Sequence, residues 1–523
     1  MEKNYTDVLI IGAGIAGLTS AILLSEKGYE VSILFDSDDQ FRSSSYLAQG
    51  GIIYKGINDN PELLKEDILL AGNNLNYVPA VEKLVENSSD IVKKILIEKI
   101  GVNFSKNNGE LEFTGEAAHS VKRILFVKDY TGKAIVDGLF DYIKLKNLPI
   151  KLFPEHYAID LITLSHSTSD QYSMYRDDHC YGAYAYHVKT NKVITFQAKY
   201  TILATGGMGQ IYLHTTNPGN LYGNGYAMAQ RAHVKIINME YTQFHPTSLY
   251  SDHGNSFLIS EAVRGEGAEL VNIKGEPFMK NYHPLGSLAP RDIVARSILF
   301  EMQKTDAKFA FLDISRIRKK IKERFPSIYK KCLENGIDLN SENIPVVPSF
   351  HFQCGGIKVD LEGETSLNGL YAIGETSCTG IHGANRLAST SLLEGLTWAK
   401  FASDSIDKKI RGNEFEQYIQ LSDTIKEWEY TGREEYDPIL VKQDLTYLKN
   451  IMWNYVGPIR SKKRLRRALS DITNLKNTFD DFYYESMLSI AILQLRDAIT
   501  SASIVATAAW KNKISMGCHY RIN

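Results

Sequence analysis

Residues 7–17 read DVLIIGAGIAG, an apolar run that passes into three closely spaced glycines, Gly12, Gly14 and Gly17. The run 7–11 is short and apolar after its first residue, as expected of a strand that is buried on both faces of a parallel sheet. The glycines fit the GxGxxG fingerprint, in which the backbone closely approaches a dinucleotide pyrophosphate. By itself the fingerprint could also mark a simple tight turn.

The residues that follow the fingerprint supply the context that a dinucleotide site requires. Residues 15–27 have the apolar spacing of a helix, Gly28 suits the position after a helix end, and residues 29–35 predict a second strand. Asp36 stands 19 residues after Gly17, where an acid can bind a ribose hydroxyl. The order strand, glycine turn, helix and strand therefore favours a Rossmann-like unit over a mere turn.

Two later strands predict that the same parallel sheet is interrupted and then resumed. Residues 199–204 run into Thr205-Gly206-Gly207, and residues 369–375 end at Gly374 and Glu375. Strands that end in glycine let backbone approach a ligand at the carboxyl edge of a parallel sheet. We therefore expect an α/β fold, in which a dinucleotide-binding domain (1–245 and 351–412) is interrupted by an α+β capping domain (246–350).

After about residue 413 the strand signals end. Helical periodicity, with Lys and Arg on the polar face, extends over 415–430, 440–455, 462–476 and 482–511. We therefore expect a C-terminal helical bundle over 413–523. The basic cluster 460–467 could suggest nucleic acid, but a solvated or salt-bridged helix face is favoured because the chain is nearly neutral.

Composition argues against several classes of protein. Lys plus Arg (59) nearly balances Asp plus Glu (61), so the net charge of −2 gives no general attraction to nucleic acid or to an anionic membrane. The five cysteines form no CxxC pair, which argues against a disulfide framework or structural zinc and fits a reducing cytoplasm. The uncharged run 8–24 follows acids rather than a basic cluster, so neither a signal peptide nor a membrane span is expected. We predict a soluble, cytoplasmic protein without a metal site.

A loop rich in serine and glycine follows the second predicted strand. Residues 42–51 read RSSSYLAQGG. Its hydroxyls could bond a pyrophosphate, and its glycines could let backbone approach a flavin ring. A plain Ser/Gly-rich surface loop is the alternative interpretation.

Four side chains that can recognise an anion lie around the predicted domain junctions: His245, Arg291, His351 and Arg386. Any one of them alone would more often be structural. Arg264 and Arg296, which stand close to acids, are interpreted as ion-paired scaffold. Clefts form at domain junctions, and arginine binds a carboxylate through two hydrogen bonds. Together the four predict a site for an anionic substrate, most suitably a dicarboxylate.

In its motifs the chain resembles the succinate dehydrogenase/fumarate reductase flavoprotein family over nearly its whole length. The matching segments are Gly12-x-Gly14-x-x-Gly17, Ala48-Gln49-Gly50-Gly51, Ala204-Thr205-Gly206-Gly207, Thr215-Thr216-Asn217-Pro218, Gln243-Phe244-His245-Pro246-Thr247, Arg264-Gly265-Glu266-Gly267, Pro290-Arg291-Asp292 and His382-Gly383-Ala384-Asn385-Arg386. The resemblance implies that the Rossmann-like domain binds FAD. It also implies that the cap covers the flavin and that a four-carbon dicarboxylate binds between them.

Carried over residue by residue, the resemblance implies one cofactor site and one substrate site. At the substrate it places Gln243, His245 and Ser260 on one carboxylate, His351 and Arg386 on the other, and Arg291 as the proton-transfer arginine. Because the pKa of free arginine is above about 12, we expect Arg291 to act electrostatically. The residues expected at FAD are Gly12, Gly14, Ala16, Gly17, Asp36, Ser43, Ser44, Ser45, Ala48, Gln49, Gly50, Gly51, Ala204, Thr205, Gly206, Gly207, Asn224, Glu375, Ser389, Ser391 and Leu392.

Three features resemble a branch of the family that oxidises an amino dicarboxylate. Ser44 stands where the respiratory flavoproteins carry the histidine that bonds FAD, which implies non-covalent FAD. Glu116 resembles the glutamate that meets the substrate amino group; alternatively, it caps a helix or pairs with Lys122 or Arg123. The segments 451–457 and 517–521 resemble the C-terminal domain and tail of that branch.

The chain also departs from the family pattern at several positions. Asn224 stands where the family has the aspartate of a Gly-Asp-Gly motif, and Ser260 replaces a threonine. The other departures are Asp36-Ser37 for a hydroxyl–lysine pair, Ala117-Ala118 for a glycine pair, Phe126 for a histidine and Thr390 for an asparagine. They bear on flavin affinity and redox potential more than on substrate class.

The resemblance implies a catalytic function and a place in metabolism. It implies oxidation of L-aspartate to iminoaspartate, with oxygen or fumarate as electron acceptor and quinolinate synthase as recipient in NAD biosynthesis. Fumarate and succinate should bind the same site, and the protein should be a monomer or weak dimer. The alternatives are a soluble fumarate reductase or succinate dehydrogenase subunit, and a non-catalytic flavin-binding interaction protein. Retention of the cation positions argues against the last.

Overall fold

The main sheet is built around the first strand and its glycine turn. The computed structural model describes residues 3–38, 43–116, 118–169, 171–172, 175–251, 256–415, 424–430 and 432–522. The strand Lys3–Ile11 lies parallel between two neighbours, Val31–Leu34 and Lys192–Leu203. From one edge the order is Ile150–Phe153, Val31–Leu34, Lys3–Ile11, Lys192–Leu203, Cys180–His187 and His156–Thr163.

The long strand Lys192–Leu203 changes partner along its length. Its first half pairs with Cys180–His187 in antiparallel orientation, and its last residues pair in parallel with Leu370–Ala372. The prediction that the sheet resumes after an insertion is therefore confirmed. Because the parallel strands end at one edge, the glycine turns that follow them lie side by side there.

Two glycines of the fingerprint are required by close backbone contacts. Gly12 has a φ of +117°, and a Cβ atom on it would lie 2.2 Å from the carbonyl oxygen of Ala204. A Cβ atom on Gly17 would lie 2.0 Å from the carbonyl oxygen of Gly12. These contacts hold the helix Ile15–Ser25 against the sheet, and Thr390–Arg411 packs on that helix.

The remaining elements of this layer cover the sheet or connect its strands. The longer helices are Pro61–Ala71, Val78–Ile91, which continues as a π-helix over Val92–Lys99, and Thr131–Leu145. The short helices are Leu164–Ser167, Gly209–Ile211, Asn224–Arg231 and Gly374–Thr376. The short strands are Ile52–Ile53, Lys106–Asn107, Glu110–Leu111, Phe113–Thr114, Ile124–Leu125, Ile236–Ile237, Gly356–Lys358 and Ser377–Cys378.

A second, four-stranded sheet forms the cap. Its antiparallel order is Thr242–Leu249, Ile344–Gln353, Ala310–Asp313 and Glu269–Val271. The helix Arg291–Thr305 packs on the first of these strands, and the cap has a hydrophobic core of its own. Its other helices are Glu261–Gly265, Met279–Asn281, Gly286–Leu288, Arg318–Lys320, Ile321–Arg324 and Pro326–Glu334. The fold class, a Rossmann-like domain interrupted by an α+β cap, is confirmed.

The two strands that enter and leave the cap extend past its predicted boundaries. Thr242–Leu249 begins before residue 246, and Ile344–Gln353 continues beyond residue 350. His245 and His351 therefore both lie on the cap sheet, near its junction with the main sheet. The exact domain boundaries remain a prediction.

The C-terminal region is a bundle of three long helices, Pro438–Val456, Lys462–Glu485 and Ile490–Lys511. Each begins at a residue whose side chain accepts a hydrogen bond from the first turn: Asp437, Ser461 and Ser489. Arg460–Ser461 also pairs with the terminal strand Arg521–Ile522. The bundle confirms the predicted C-terminal helical region.

Two of the predicted helices in this region need correction. The prediction 482–511 is divided, because Phe482–Glu485 belongs to the preceding helix and Ser489 starts a new one. The prediction 415–430 falls partly on residues 416–423, which lie outside the described residues. The part over 424–430 is wrong: it is extended, with Ile425 in an isolated bridge to Thr168, and Trp428 and Tyr430 pack against the core.

The basic cluster 460–467 is divided between the surface and the interior. Most of its basic side chains lie on the outer face of Lys462–Glu485, as predicted. Arg460 is fully buried, and its guanidinium donates to the carbonyl oxygen of Glu240 and bonds His519. Arg460 therefore joins the C-terminal region to Glu240, two residues before the cap strand Thr242–Leu249.

The last helix, Ile490–Lys511, is long and apolar enough to cross a membrane by length and composition alone. In the fold it packs against the other two helices of the bundle and against Asn224–Arg231. Its apolar face is accounted for by these contacts, as in the core helix of a bundle.

Candidate active site

One continuous cavity extends from the carboxyl edge of the main sheet to the cap. It is lined by the glycine turns, the loop 43–51, the cap strands and the start of Thr390–Arg411. The predicted site residues that line it are Gly12, Gly14, Ala16, Asp36, Ser43, Ser44, Ser45, Ala48, Gln49, Gly50, Gly51, Glu116, Ala204, Thr205, Gly206, Gly207, Asn224, His245, Ser260, Arg291, His351, Glu375, Arg386, Ser389, Ser391 and Leu392. The structure thus brings together residues that are up to 380 positions apart.

Two predicted site residues lie behind the cavity rather than in its lining. Gly17 packs against the backbone of Gly12. Gln243 is fully buried, and its amide nitrogen donates to Asn385 Oδ1 (2.7 Å) and to the carbonyl oxygen of Arg386 (2.9 Å). Since both amide hydrogens are bonded there, Gln243 supports the backbone of Arg386 instead of facing a ligand.

The end of the cavity near the glycine turns has the polar atoms that a dinucleotide needs. Ser45 Oγ accepts from the backbone N–H of Ile15 (3.2 Å), which places the serine loop over the start of the first helix. Asp36 Oδ1 accepts from Asn220 (2.7 Å). The buried atoms Ser44 Oγ and Gln49 Oε1 have no partner among the described residues. Orphaned hydroxyl and amide atoms beside a glycine cradle fit FAD.

Glu375 is the acid at the end of the resumed parallel strand. Its Oε1 accepts from the backbone N–H of Gln353 (3.1 Å). Burial raises the pKa of Glu375 to about 7, so the carboxyl is partly protonated at neutral pH. A Cβ atom on Gly207 would lie 2.3 Å from Glu375 Oε1, which explains the glycine at that position.

Arg386 supplies a buried cation at the substrate end of the cavity. Its Nη1 donates to Ser391 Oγ (3.1 Å), and its guanidinium lies over the ring of Phe352, 4.6 Å from the ring centre. Its Nε is buried with no partner among the described residues. Burial lowers the pKa of Arg386 to about 10, with Arg291 adding to the effect, so it stays charged at neutral pH. An incompletely paired, buried guanidinium requires an anion.

His245 and His351 face each other across the two cap strands. Their ring centres are 5.3 Å apart. Burial lowers the pKa of each histidine well below its usual value, and nearby cations add to the shift. Both rings are therefore neutral at pH 7 and can each donate one N–H. His351 Nδ1 also bonds Thr216 Oγ1 (3.0 Å).

Arg291 forms a buried ion pair that the sequence did not predict. Its Nε donates to Glu261 Oε2 (2.6 Å). Burial by itself would lower the pKa of Arg291, but Glu261 and Glu116 bring it above the usual value. The guanidinium is therefore held in its charged form. Arg291 Nη1 and Glu261 Oε1 are both buried with no partner among the described residues.

Glu116 enters the cavity from the loop before Ser120. Its Oε2 accepts from Ser389 Oγ (2.8 Å), and its Oε1 lies against Gly50, where a Cβ atom would be 2.8 Å away. Ser389 has a φ of +59°, a strained conformation for serine, at the start of Thr390–Arg411. The alternative pairing of Glu116 with Arg123 is wrong, because Arg123 binds Asp59 and Asp67.

Arg264 and Arg296 have the scaffold contacts that were predicted for them. Arg296 pairs with Asp292 (2.9 Å), and Arg264 donates to the carbonyl oxygen of Ser287 and lies 3.8 Å from Glu261. Ser260 Oγ accepts from the N–H of Ala262 (3.3 Å), which leaves its hydroxyl hydrogen free to donate to a ligand.

The cavity-lining residues that sequence reasoning missed include Glu261, Thr216, Phe352 and Tyr157. Thr216 lies inside the segment Thr215-Thr216-Asn217-Pro218, and Glu261 directly follows Ser260, so both positions offered a signal. Phe352 follows His351 on the cap strand Ile344–Gln353, and no motif in the sequence marks it as a cavity residue. Tyr157 reaches the cavity because its strand, His156–Thr163, forms an edge of the main sheet. No local sequence pattern predicts the position of that strand.

Comparisons with known protein families and curated sequences show which family the chain belongs to. A model of the FAD binding domain matches residues 7–392, and a model of the fumarate reductase flavoprotein C-terminal region matches residues 446–523. L-aspartate oxidase of Pseudomonas aeruginosa is 38% identical over 535 residues, covering 100% of this chain and 96% of the relative. L-aspartate oxidase of Acinetobacter baylyi is 39% identical over 529 residues, covering 100% and 94%.

Solved structures with the same architecture include respiratory flavoproteins. Quinol fumarate reductase of E. coli superposes with a TM-score of 0.86 at 25% identity, covering 100% of this chain and 92% of that chain. Sdh1 of Mycobacterium smegmatis superposes with a TM-score of 0.82 at 27% identity, covering 100% and 89%. The full-length identity to curated oxidases, together with the flavin cradle and the cation cluster, places this protein: the chain belongs to the L-aspartate oxidase family of FAD-binding flavoproteins.

Proposed function

We propose that the chain oxidises L-aspartate to iminoaspartate at a non-covalently bound FAD. The observation that carries the proposal is the position of Glu116, a carboxylate held by Ser389 in the same cavity as Arg386, Arg291 and the two histidines. A carboxylate at a dicarboxylate site repels the substrate unless the substrate also carries a positive charge. Aspartate supplies that charge through its ammonium group, whereas succinate does not.

The two carboxylates of aspartate are assigned to opposite sides of the cavity. His245 and Ser260 bind one carboxylate, and His351 and Arg386 bind the other. The amide nitrogen of Gln243 donates to the backbone carbonyl oxygen of Arg386 and so supports Arg386 from the side away from the cavity. Arginine suits this role because two parallel N–H groups of its guanidinium can donate to the two oxygens of one carboxylate. The site is buried, so the electrostatic interaction is stronger than it would be in water.

Thr216 holds the ring of His351 in place. Its hydroxyl lies 3.0 Å from His351 Nδ1 and 3.2 Å from the carbonyl oxygen of Phe350, to which it donates. A neutral imidazole can donate to a carboxylate from Nε2 only when Nδ1 is unprotonated. Binding of a carboxylate by His351 therefore requires the hydrogen on Nε2.

FAD held by the glycine turns and the loop 43–51 would supply an acceptor for a hydride from the substrate α-carbon and a route for the electrons to oxygen or fumarate. Glu116 holds the ammonium group and accepts the proton that must leave it before the C–N bond becomes an imine. Arg291, kept charged by Glu261, stabilises the substrate negative charge without losing its own proton. The cap strands exclude water from the reacting carbon.

Iminoaspartate hydrolyses in water, so the product needs an enzyme that consumes it promptly. We propose quinolinate synthase as that recipient, in NAD biosynthesis. A cytoplasmic location is supported by the five cysteines, all of which are free and buried. A monomer or weak dimer remains our proposal for the oligomeric state.

Anaerobic mixing with L-aspartate tests the proposed reaction. We expect the yellow absorbance of the flavin to bleach on addition of L-aspartate and to return when oxygen or fumarate is added. D-aspartate and succinate serve as controls, since the first misplaces the ammonium and the second lacks it. Bleaching by succinate but not by L-aspartate would favour a soluble succinate dehydrogenase or fumarate reductase and contradict the proposal.

Acid precipitation tests the non-covalent attachment of FAD. Ser44 has no imidazole with which to bond the flavin, and no histidine replaces it in the described lining of the loop 43–51. We therefore expect the yellow colour in the supernatant after precipitation and washing. Colour that stays in the washed pellet would show a covalent bond and exclude this attachment.

A further inference from the structure

The cofactor end of the cavity is joined to the C-terminal bundle by a buried acid. Asp497 lies on Ile490–Lys511, and its side chain is 2% exposed. Its Oδ1 accepts from Arg231 Nη1 (2.9 Å). Its Oδ2 accepts from Tyr157 Oη (2.6 Å) and from Asn224 Nδ2 (2.8 Å). Tyr157 and Asn224 both line the cavity.

The bonds of Asn224 fix the direction of its amide. The Nδ2 group donates to the carbonyl oxygen of Ala158 (2.8 Å) and to Asp497 Oδ2 (2.8 Å), so both of its hydrogens are used. The reverse orientation would place the amide oxygen against two acceptors. The oxygen Oδ1 is therefore the polar atom that Asn224 offers to the cavity, and an oxygen there accepts from a hydroxyl.

A charged network holds Asp497 in place behind Asn224. The carboxylate of Asp497 is balanced by Arg231, which also pairs with Asp160. The amide of Asn224, at the cavity wall, thus lies directly in front of a fixed, buried carboxylate.

We propose that Asn224 and Asp497 act as one amide–carboxylate pair, in which Asp497 of the C-terminal bundle orients Asn224 to accept from a hydroxyl of FAD. Asp497 is thus a positioning residue for the cofactor, although it does not line the cavity. The inference rests on FAD binding alone and is independent of the identity of the substrate.

Four proteins test the pair: the wild type, Asn224→Asp, Asp497→Asn and the double variant. FAD affinity is measured from the flavin-to-protein ratio after dilution and gel filtration, and folding from circular dichroism. Asn224→Asp places two carboxylates at hydrogen-bond distance. Asp497→Asn must turn its amide donor toward either Asn224 or Arg231, both of which donate to the wild-type carboxylate. Each single variant should weaken FAD binding by roughly 5- to 150-fold, the effect of leaving a buried polar group unpaired.

The double variant restores one amide and one carboxylate at this contact, but not the bond that Asn224 donates to the carbonyl oxygen of Ala158. It should therefore bind FAD more tightly than Asn224→Asp. Ser501→Ala is the matched control, because Ser501 Oγ donates to the carbonyl oxygen of Gly223 from the same helix without contacting Asn224. It should leave FAD affinity unchanged.

Three results would overturn the pairing: additive losses in the double variant, full FAD affinity in Asp497→Asn, or an equal loss in Ser501→Ala. If a single variant yields no folded protein, the double variant decides. Its recovery as folded, flavin-bound protein supports the pair, and its failure contradicts the pair.

Discussion

Replacing Arg386 by leucine should remove aspartate binding while FAD stays bound. Arg386 is buried, has an unpaired Nε and is the cation best placed to take a substrate carboxylate. Loss of one partner from a buried, hydrogen-bonded charge pair costs roughly 2–5 kcal/mol, which corresponds to a loss of affinity of about 30- to 5,000-fold. The dissociation constant of succinate or aspartate, followed by the perturbation of flavin absorbance, measures the effect.

Two further variants separate charge from geometry at this position. Arg386→Lys keeps the charge but cannot form two parallel bonds to a carboxylate, so its affinity should fall between those of the leucine variant and the wild type. Arg296→Leu removes an arginine of the cap that pairs with Asp292 outside the cavity lining, and it should bind aspartate normally. Unchanged aspartate affinity in Arg386→Leu would show that the substrate site has been misplaced.

Features with a short-range physical cause could be predicted from the sequence. Glycine is required at positions 12 and 17 because a Cβ atom there would lie 2.2 Å and 2.0 Å, respectively, from a backbone carbonyl oxygen. The spacing of the glycines shows this requirement in the sequence. The resumed strand at residues 370–372 was predictable in the same way, because a buried strand that ends in glycine is a local pattern. The same holds for Arg386, whose motif opens a helix.

Features that depend on partners distant in the chain could not be predicted. Gln243 was expected at the substrate, but Asn385 and the carbonyl oxygen of Arg386 take its amide hydrogens. Periodicity predicted a helix over 424–430 because it cannot distinguish a helix from an extended segment that buries aromatic side chains. The contact between Asn224 and Asp497 spans 273 positions, and no sequence pattern near either residue predicts it.

Replacing Glu116 by glutamine should weaken aspartate oxidation and spare fumarate reduction. Glutamine keeps the size of the side chain and an oxygen that accepts from Ser389, but it removes the negative charge. A hydrogen bond to a charged group contributes roughly 1.5–3 kcal/mol, so kcat/KM for L-aspartate should fall by about ten- to 150-fold. Fumarate carries no ammonium, and removal of a repelling carboxylate should leave its reduction unchanged or faster.

Glu112→Gln is the matched control for this substitution. Glu112 is an exposed glutamate four residues away in the same segment and does not line the cavity. The variant should keep both activities, because an exposed charge contributes little at a distance in water.

The ratio of kcat/KM for L-aspartate oxidation to kcat/KM for fumarate reduction, measured on wild type, Glu116→Gln and Glu112→Gln, tests the account most directly. Recognition of the ammonium by Glu116 predicts that the ratio falls by at least about tenfold in Glu116→Gln and stays at the wild-type value in Glu112→Gln. Equal losses in both activities would show that Glu116 supports only the structure of the site. An unchanged ratio would contradict the claim that this carboxylate selects aspartate.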